Sequence, residues 1–519
     1  MPVFRRRHRI LLILVVLGCA LLALHHYSKL PSLEGRTIST AVTDTADSSL
    51  ARAISPMVEA HPNLSGVFPL RNARDAFAAR MRLAQRAERT LDVQYYLWRD
   101  DMTGTLLFQA LHDAADRGVR VRLLLDDNNT SGLDPTLAGL DSHRNIEVRL
   151  FNPFVIRSPR VGYLTNFSRA NRRMHNKSFI ADNQVTIIGG RNVGDEYFGA
   201  TEDVLFVDLD VLTIGPIVNE VSADFDRYWN SDSAYPVDKV LKPASAQQLE
   251  ELTAKAKRVE ESPQALMYLN ALRDSAFLRQ LVDKELEFEW ASIHMVSDDP
   301  AKGLGRAKTD QMFPQRLKEV IGQPTRELEL VSPYFVPTDD GVKSFVSLAE
   351  SGVEVKVLTN ALEATDVPAV HSGYAKRRKK LLKGGVQLYE LRRVSTTHIK
   401  GKQAGIWGSS GSSLHAKTFA IDGSRVFVGS FNFDPRSAKL NTELGFVIES
   451  PALAQGIERT FATRVPNDAY EVQLSDKGRL YWIGHDGDRT VRYEREPGTS
   501  FWLRAFVRFL SFFPIDSLL

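Results

Sequence analysis

Cysteine is almost missing from this chain: Cys19 is the only one in 519 residues. With no partner inside the chain it can form no intramolecular disulfide, and a zinc site built on clustered cysteines is excluded as well. An excess of one charge is also lacking. The formal net charge is +3, and Arg5, Arg6, Arg7 and Arg9 more than account for it, so everything after them is close to neutral. A neutral body lacks the basic surplus that gives proteins sequence-independent affinity for nucleic-acid backbones. Long apolar runs are absent too. The longest, Ile10–Leu24, holds 15 chargeless residues, short of the roughly 17–25 of an ordinary spanning helix.

What is present is globular composition, 43% hydrophobic and 25% charged, with length for two or three domains. The arginine-led apolar run at residues 1–27 reads as a targeting element, either a signal segment or a short uncleaved membrane anchor. Within it Val16-Leu17-Gly18-Cys19 resembles a bacterial lipoprotein cleavage box, so anchoring and lipidation of Cys19 are both open. Either arrangement puts the body outside the cytoplasm, because the arginine-rich flank stays inside. Residues 28–62, rich in Ser, Thr, Ala and Pro, read as a tether.

The fold begins after it. Leu91–Trp98 reads as a strand, Thr105–Asp116 as a helix and Val119–Leu125 as a strand, a β-α-β order that predicts an α/β fold with helices on the faces of a sheet. The same signals return in Leu328–Val336, Gly341–Glu350 and Val353–Leu358, which predicts an internal duplication. We place the copies at 63–240 and 305–465, with connecting helices over 241–304 and a C-terminal segment over 466–519.

The most informative repeat is short. Met174-His175-Asn176-Lys177 leads through an apolar run to Asp182 and then Gly189-Gly190-Arg191-Asn192; Leu414-His415-Ala416-Lys417 leads to Asp422 and Gly429-Ser430-Phe431-Asn432. Both read H-x-K-x4-D-x6-G-[GS]-x-N, with the histidines 240 residues apart. On extended backbone, residues two apart share a face, so each His and Lys can meet one ligand. Two such segments related by a pseudo-twofold would bring two imidazoles and two ammonium groups to a point, a pocket suited to phosphate. Asp182-Asn183 and Asp422-Gly423 read as hairpin turns, so Asp182 and Asp422 are expected to support the site rather than to react.

This pattern resembles the phospholipase D superfamily, whose signature is the duplicated H-x-K-x4-D motif. Asp92-Val93-Gln94-Tyr95-Tyr96, Leu123-Leu124-Leu125-Asp126-Asp127, Arg149-Leu150-Phe151-Asn152-Pro153 and Asn432-Phe433-Asp434-Pro435-Arg436-Ser437 bring it nearest to the bacterial cardiolipin synthase C-like subfamily. The resemblance implies two phospholipase D-like domains, each a mixed sheet flanked by helices, sharing one site across a pseudo-twofold. It implies a two-step displacement through a phosphohistidine, with no metal and no cofactor. By position His175 is the expected nucleophile and His415 the acid/base, the reverse staying open. Lys177, Lys417, Asn192, Asn432 and Ser430 would hold phosphate oxygens, and Asp208 and Glu443 would orient the imidazoles, Asp210 competing for the first of these places. Gly190 departs from Ser430 in the other copy and removes one expected hydroxyl donor.

Superfamily members act on lipids or nucleic acids, so the substrate has to be read from other features. Phe501–Phe513 alternates aromatics with Arg504 and Arg508 as an interfacial helix would. Lys376–Lys380, the one dense basic run of the body, reads as a solvated face or a contact for anionic headgroups. Together with the N-terminal segment these features favour membrane phospholipids over nucleic acid. The expected reaction transfers a phosphatidyl group to phosphatidylglycerol, from phosphatidylglycerol or phosphatidylethanolamine, to give cardiolipin at a bacterial inner membrane. Hydrolysis of phospholipids, with water as acceptor, is the alternative; a nuclease and a non-catalytic membrane scaffold stand further off. Whether a protein partner takes part stays open.

Overall fold

A computed structural model describes residues 2–158, 160, 163, 166–201, 206–283, 285–393, 413–486 and 489–513. Two mixed sheets organise the chain. In the first, neighbouring strands run Val185–Gly189, Ser178–Ala181, Thr90–Tyr95, Arg120–Asp126 and Ile146–Phe151. In the second the order is Arg425–Gly429, Thr418–Ile421, Glu327–Val331, Glu354–Asn360 and Gln387–Leu391. The two orders correspond strand for strand. In each, an antiparallel hairpin leads into three parallel strands, and the first two of those are joined by a helix, Met102–Asp116 or Asp339–Glu350. This is the duplicated α/β architecture expected from the repeated β-α-β signals.

The alternation of side chains explains how the halves meet. On the Ser178–Ala181 strand, Phe179 and Ala181 enter the first domain's helix-covered core, and Ile180 points the other way, into a core shared with Ala420, Val426 and Val428 of the second domain. In the second copy Phe419 and Ile421 face their own domain's core and Ala420 the shared one. Strands apolar on both faces are what sheets buried on both sides require. The hairpins close through Asp182-Asn183 and Asp422-Gly423, all at positive φ between 51° and 60°, with Gln184 N–H donating to Ala181 and Ser424 N–H to Ile421. Two consecutive left-handed residues make the type I′ turn that matches strand twist.

Several segments extend beyond these repeats. Residues 289–297 carry one strand into each sheet, Glu289–Ala291 into the first and Ile293–Ser297 into the second, after the connecting helices Ala246–Glu260, Pro263–Arg273 and Ala276–Asp283. Past residue 465, Ala469–Leu474, Leu480–Asp486 and Arg489–Tyr493 add three strands to the second sheet.

The 28–62 segment corrects the expectation of a tether. Arg122 Nη1 donates to Ser39 O at 3.0 Å, Arg149 Nη2 to Thr37 O at 2.6 Å and Trp229 Nε1 to Ser39 Oγ at 3.0 Å. Ser49–Glu59 is a helix that sinks Ile54 into the first core. A Ser- and Thr-rich strand of chain carries little apolar signal, yet its carbonyls complete the hydrogen bonding of buried guanidiniums that Asp92, Glu147 and Trp229 O satisfy only in part. Pro2–Tyr27 forms one helix, in which Leu11–Leu17 and Cys19 are exposed; among the described residues no helix is long and apolar enough to cross a membrane.

Candidate active site

Each His-x-Lys segment lies just ahead of its hairpin, and its backbone is held by the opposite domain. His175 N–H donates to Thr442 O at 2.9 Å; His415 and Ala416 N–H both donate to Val207 O, at 2.8 and 2.9 Å. Ser413–Leu414 pairs in parallel with Phe206–Val207, and Met174 bridges Thr442 in the same sense. Thr442 and Val207 immediately precede the two candidate orienting carboxylates. The cross-domain pairing therefore delivers each carboxylate to the other copy's imidazole.

His175 Nδ1 lies 2.9 Å from Glu443 Oε2, and His415 Nδ1 lies 2.5 Å from Asp208 Oδ2. Asp208 follows the first motif but serves the second histidine; Glu443 does the converse. A carboxylate oxygen accepts, so each Nδ1 carries hydrogen and Nε2 is the nitrogen that bears the lone pair. All four groups are buried. Asp210, the sequence rival of Asp208, is spent elsewhere, its Oδ2 taking Arg80 Nη2 at 2.7 Å in a buried ion pair.

Lys177 Nζ donates to its own histidine's carbonyl at 2.5 Å, and Lys417 Nζ lies against the His415 ring, 2.7 Å from Nδ1 and 3.2 Å from Nε2. Burial, followed by mutual repulsion, holds Lys177 well below its ordinary pKa, and burial brings Lys417 down to about 8. Burial and the lysines likewise push both imidazoles below their usual value, His175 much further than His415, whose ring Asp208 supports against that pressure. The carboxylates diverge. Burial raises Glu443 to about 7. For Asp208 burial pushes the same way, but Lys417 and His415 outweigh it and hold the carboxyl below its usual range.

Among the described residues Asn192 Oδ1 and Asn432 Oδ1 have no protein partner, although both side chains are buried. An amide can be turned end for end at little cost, so each copy keeps one amide end for a ligand. Ser430 corrects an expectation. Its hydroxyl donates to Glu443 Oε2 at 2.5 Å and accepts from Leu444 N–H at 3.0 Å, so it braces the carboxylate instead of facing phosphate. At Gly190 a Cβ would fall on the Asp208 carboxylate, which is why the first copy has no room for a serine there.

Asp182 and Asp422 sit at the far ends of their strands, seven residues from the histidines, or about 20 Å of extended chain. Asp182 Oδ1 accepts from Arg89 N–H at 2.8 Å and Thr90 N–H at 3.0 Å; Asp422 accepts from Thr325, Arg326 and Glu327 N–H. Each pins the hairpin to the start of the adjoining parallel strand. The motif aspartates thus hold the scaffold on which the imidazoles stand.

Two aromatic neighbours escaped the sequence reading. Tyr96 stands edge-on to His175 at 4.9 Å between ring centroids, and Tyr197 edge-on to His415 at 5.1 Å. Tyr96 ends the quoted Asp92–Tyr96 run, so a signal existed. Tyr197 has no counterpart in the repeat, since Ser437 occupies its place, and only the fold brings it to the site.

The cardiolipin synthase, PLD-like domain family matches residues 81–229 and 317–465, one stretch in each copy. Cardiolipin synthase C of Escherichia coli (strain K12) is 51% identical over 475 residues, 91% of this chain and 99% of that protein. A cardiolipin synthase of Clostridium perfringens (strain SM101 / Type A) is 24% identical over 395 residues, 74% of this chain and 68% of its own. In fold, the crystal structure of phosphatidylserine synthase from Haemophilus influenzae Rd KW20 superposes with a TM-score of 0.56 at 14% identity, covering 91% of this chain and all of that one. With both motif copies inside the matched regions, the chain belongs to the phospholipase D-like cardiolipin synthase family.

Proposed function

We propose that this protein is a phosphatidyltransferase that makes cardiolipin by moving a phosphatidyl group onto the terminal glycerol hydroxyl of phosphatidylglycerol. The observation that carries the reading is the pair of crossed His–carboxylate contacts, His175 with Glu443 and His415 with Asp208, in a chain half identical to a cardiolipin synthase. In the first step His175 Nε2 attacks the donor phosphorus. The P–O bond to the headgroup alcohol breaks, and that alcohol leaves with a proton from His415. In the second step the acceptor hydroxyl attacks the phosphohistidine, the P–N bond breaks, and His415 takes the hydroxyl proton back.

The electrostatics support this division of labour. Ionised Asp208 beside His415 stabilises an imidazolium, the form an acid needs; strongly depressed His175 stays neutral, the form a nucleophile needs. Lys177, Lys417, Asn192 and Asn432 would hold the non-bridging oxygens where negative charge must be met. Expression in a cardiolipin-deficient bacterial strain followed by lipid mass analysis tests the activity: cardiolipin should appear, whereas phosphatidic acid without cardiolipin would mean water is the acceptor.

The substrates lie in a bilayer, and we place the protein at the bacterial inner membrane, held by its N-terminal segment, with the body on the periplasmic side. The arginines ahead of the apolar run support this orientation. Fused after Leu519, alkaline phosphatase should be active and green fluorescent protein dark; the opposite pair of results would put the body in the cytoplasm.

A further inference from the structure

The C-terminal helix Phe501–Leu510 is seated on the body by a narrow strip. It packs on the helix Pro368–Ala375, and Val507 is its one buried residue. Phe501, Trp502, Phe506 and Phe509 are 65, 78, 51 and 58% exposed, and Phe512 and Phe513 follow at 76 and 42%. At 3.6 residues per turn, the four aromatics on the helix fall within an arc of roughly 140°, and Val507 faces the opposite side. Arg504 and Arg508 lie together along the border of the aromatic face. Residues 497–513 contain no Asp or Glu.

We infer that this face enters a phospholipid bilayer and aims the catalytic mouth at it. The occupant follows from the composition of the surface. Large rings with cations at their edge match the boundary between acyl chains and anionic headgroups, where arginines extend outward along the interface. A second copy of the chain fits less well, because Arg504 and Arg508 would be brought against their own charge in a symmetric contact. The inference rests on the lipid-substrate reading only for its purpose, since the exposed face stands independently.

The helix is also tied to the active site by short links. Glu496, just ahead of it, pairs with buried Arg378, which also holds Glu390 at 3.0 Å; part of the basic Lys376–Lys380 run is therefore structural. Gly498 lies so close to Glu363 that a Cβ would fall on its carboxylate. Three residues on, Asp366 accepts from Tyr334 OH at 2.7 Å and acts electrostatically on Lys417. A bilayer that seats the helix thereby sets the distance of the Lys417 side of the pocket from the headgroups.

Trp502 is its own reporter. In full-length protein reconstituted in vesicles of equal parts phosphatidylglycerol and phosphatidylcholine, the emission lost on Trp502→Phe should be blue-shifted and quenched by lipids brominated high on the acyl chain. Quenching of that component by aqueous iodide, or by neither agent because a second copy covers it, would overturn the proposal. Phe506→Glu/Phe509→Glu should lower turnover on vesicle-borne phosphatidylglycerol at least tenfold and leave turnover of micelle-dispersed short-chain phosphatidylglycerol unchanged. An equal fall in both would make the helix merely structural and overturn docking. Absence of micellar turnover in the unaltered protein would instead strike the proposed function while Trp502 still reports on docking.

Discussion

The two halves of the site are built from one motif yet are not electrostatic twins. Beside His175 stands Glu443, braced by Ser430, its carboxyl pushed up to about 7 by burial. Around His415 stand Asp208, a carboxyl held low by Lys417 and His415 against burial, and Gly190, whose missing side chain leaves it space. Duplication supplies the convergence of groups, and the proposed division of roles rests on small departures from it. Two groups with identical environments would compete for the same proton; environments that pull their pKa values apart assign acid and nucleophile.

The strongest test of the comparison removes each histidine. His175→Ala and His415→Ala should each lower turnover by about a thousandfold or more. They should differ in what accumulates: with labelled donor lipid, His415→Ala slowly forms an acid-labile phosphoenzyme and His175→Ala forms none. Label on the His175→Ala protein would reverse the assignment of the two halves.

The carboxylates sharpen it next. Asp208→Asn should cost about 10- to 100-fold, by a factor that does not change between pH 6 and 8, because Asp208 is ionised throughout that window. Glu443 gains and loses its proton near pH 7, so Glu443→Gln should cost only a few-fold on the acid side, where the native group is itself neutral, and more on the alkaline side. Linkage gives an independent sign. With its folded pKa raised above the unfolded value, native Glu443 binds more protons than the unfolded chain between about pH 4.5 and 7, so it subtracts stability as pH rises through that window. The difference in denaturation midpoint between Glu443→Gln and the native protein should grow over the same interval; a constant difference would remove the asymmetry between the carboxylates.

Much of this arrangement is legible in the linear chain. The repeated β-α-β signals, the I′ turns at Asp182-Asn183 and Asp422-Gly423 and the paired His-x-Lys all follow from periodicity and spacing. The crossed partnership does not, because Asp208 lies close in sequence to His175 and only the pairing of Val207 with Leu414 carries it to His415. Segment 28–62 misleads for a related reason: much of its work is done by backbone carbonyls, which side-chain composition does not record. Ser430 misleads because a hydroxyl two residues from Asn432 can turn either to the ligand or to a carboxylate, and the sequence does not carry that rotamer.

The finest test exchanges the residues that set the halves apart. Gly190→Ser forces a side chain into the volume of the Asp208 carboxylate, so Asp208 must swing from His415 or the strand must shift, and turnover should fall about tenfold. Ser430→Gly removes the acceptor of Leu444 N–H and the hydrogen bond to Glu443. That bond stabilises ionised Glu443, so its loss raises the carboxyl further above about 7, and at neutral pH a larger share of the protein carries a neutral Glu443. The expected cost is a few-fold at pH 7, and the ascending limb of kcat/KM against pH should move to higher pH while the plateau above it stays nearly unchanged. A uniform fall at every pH, with the limb unmoved, would mean that Ser430 acts on the substrate and that the bracing of Glu443 has no part in separating the two histidines.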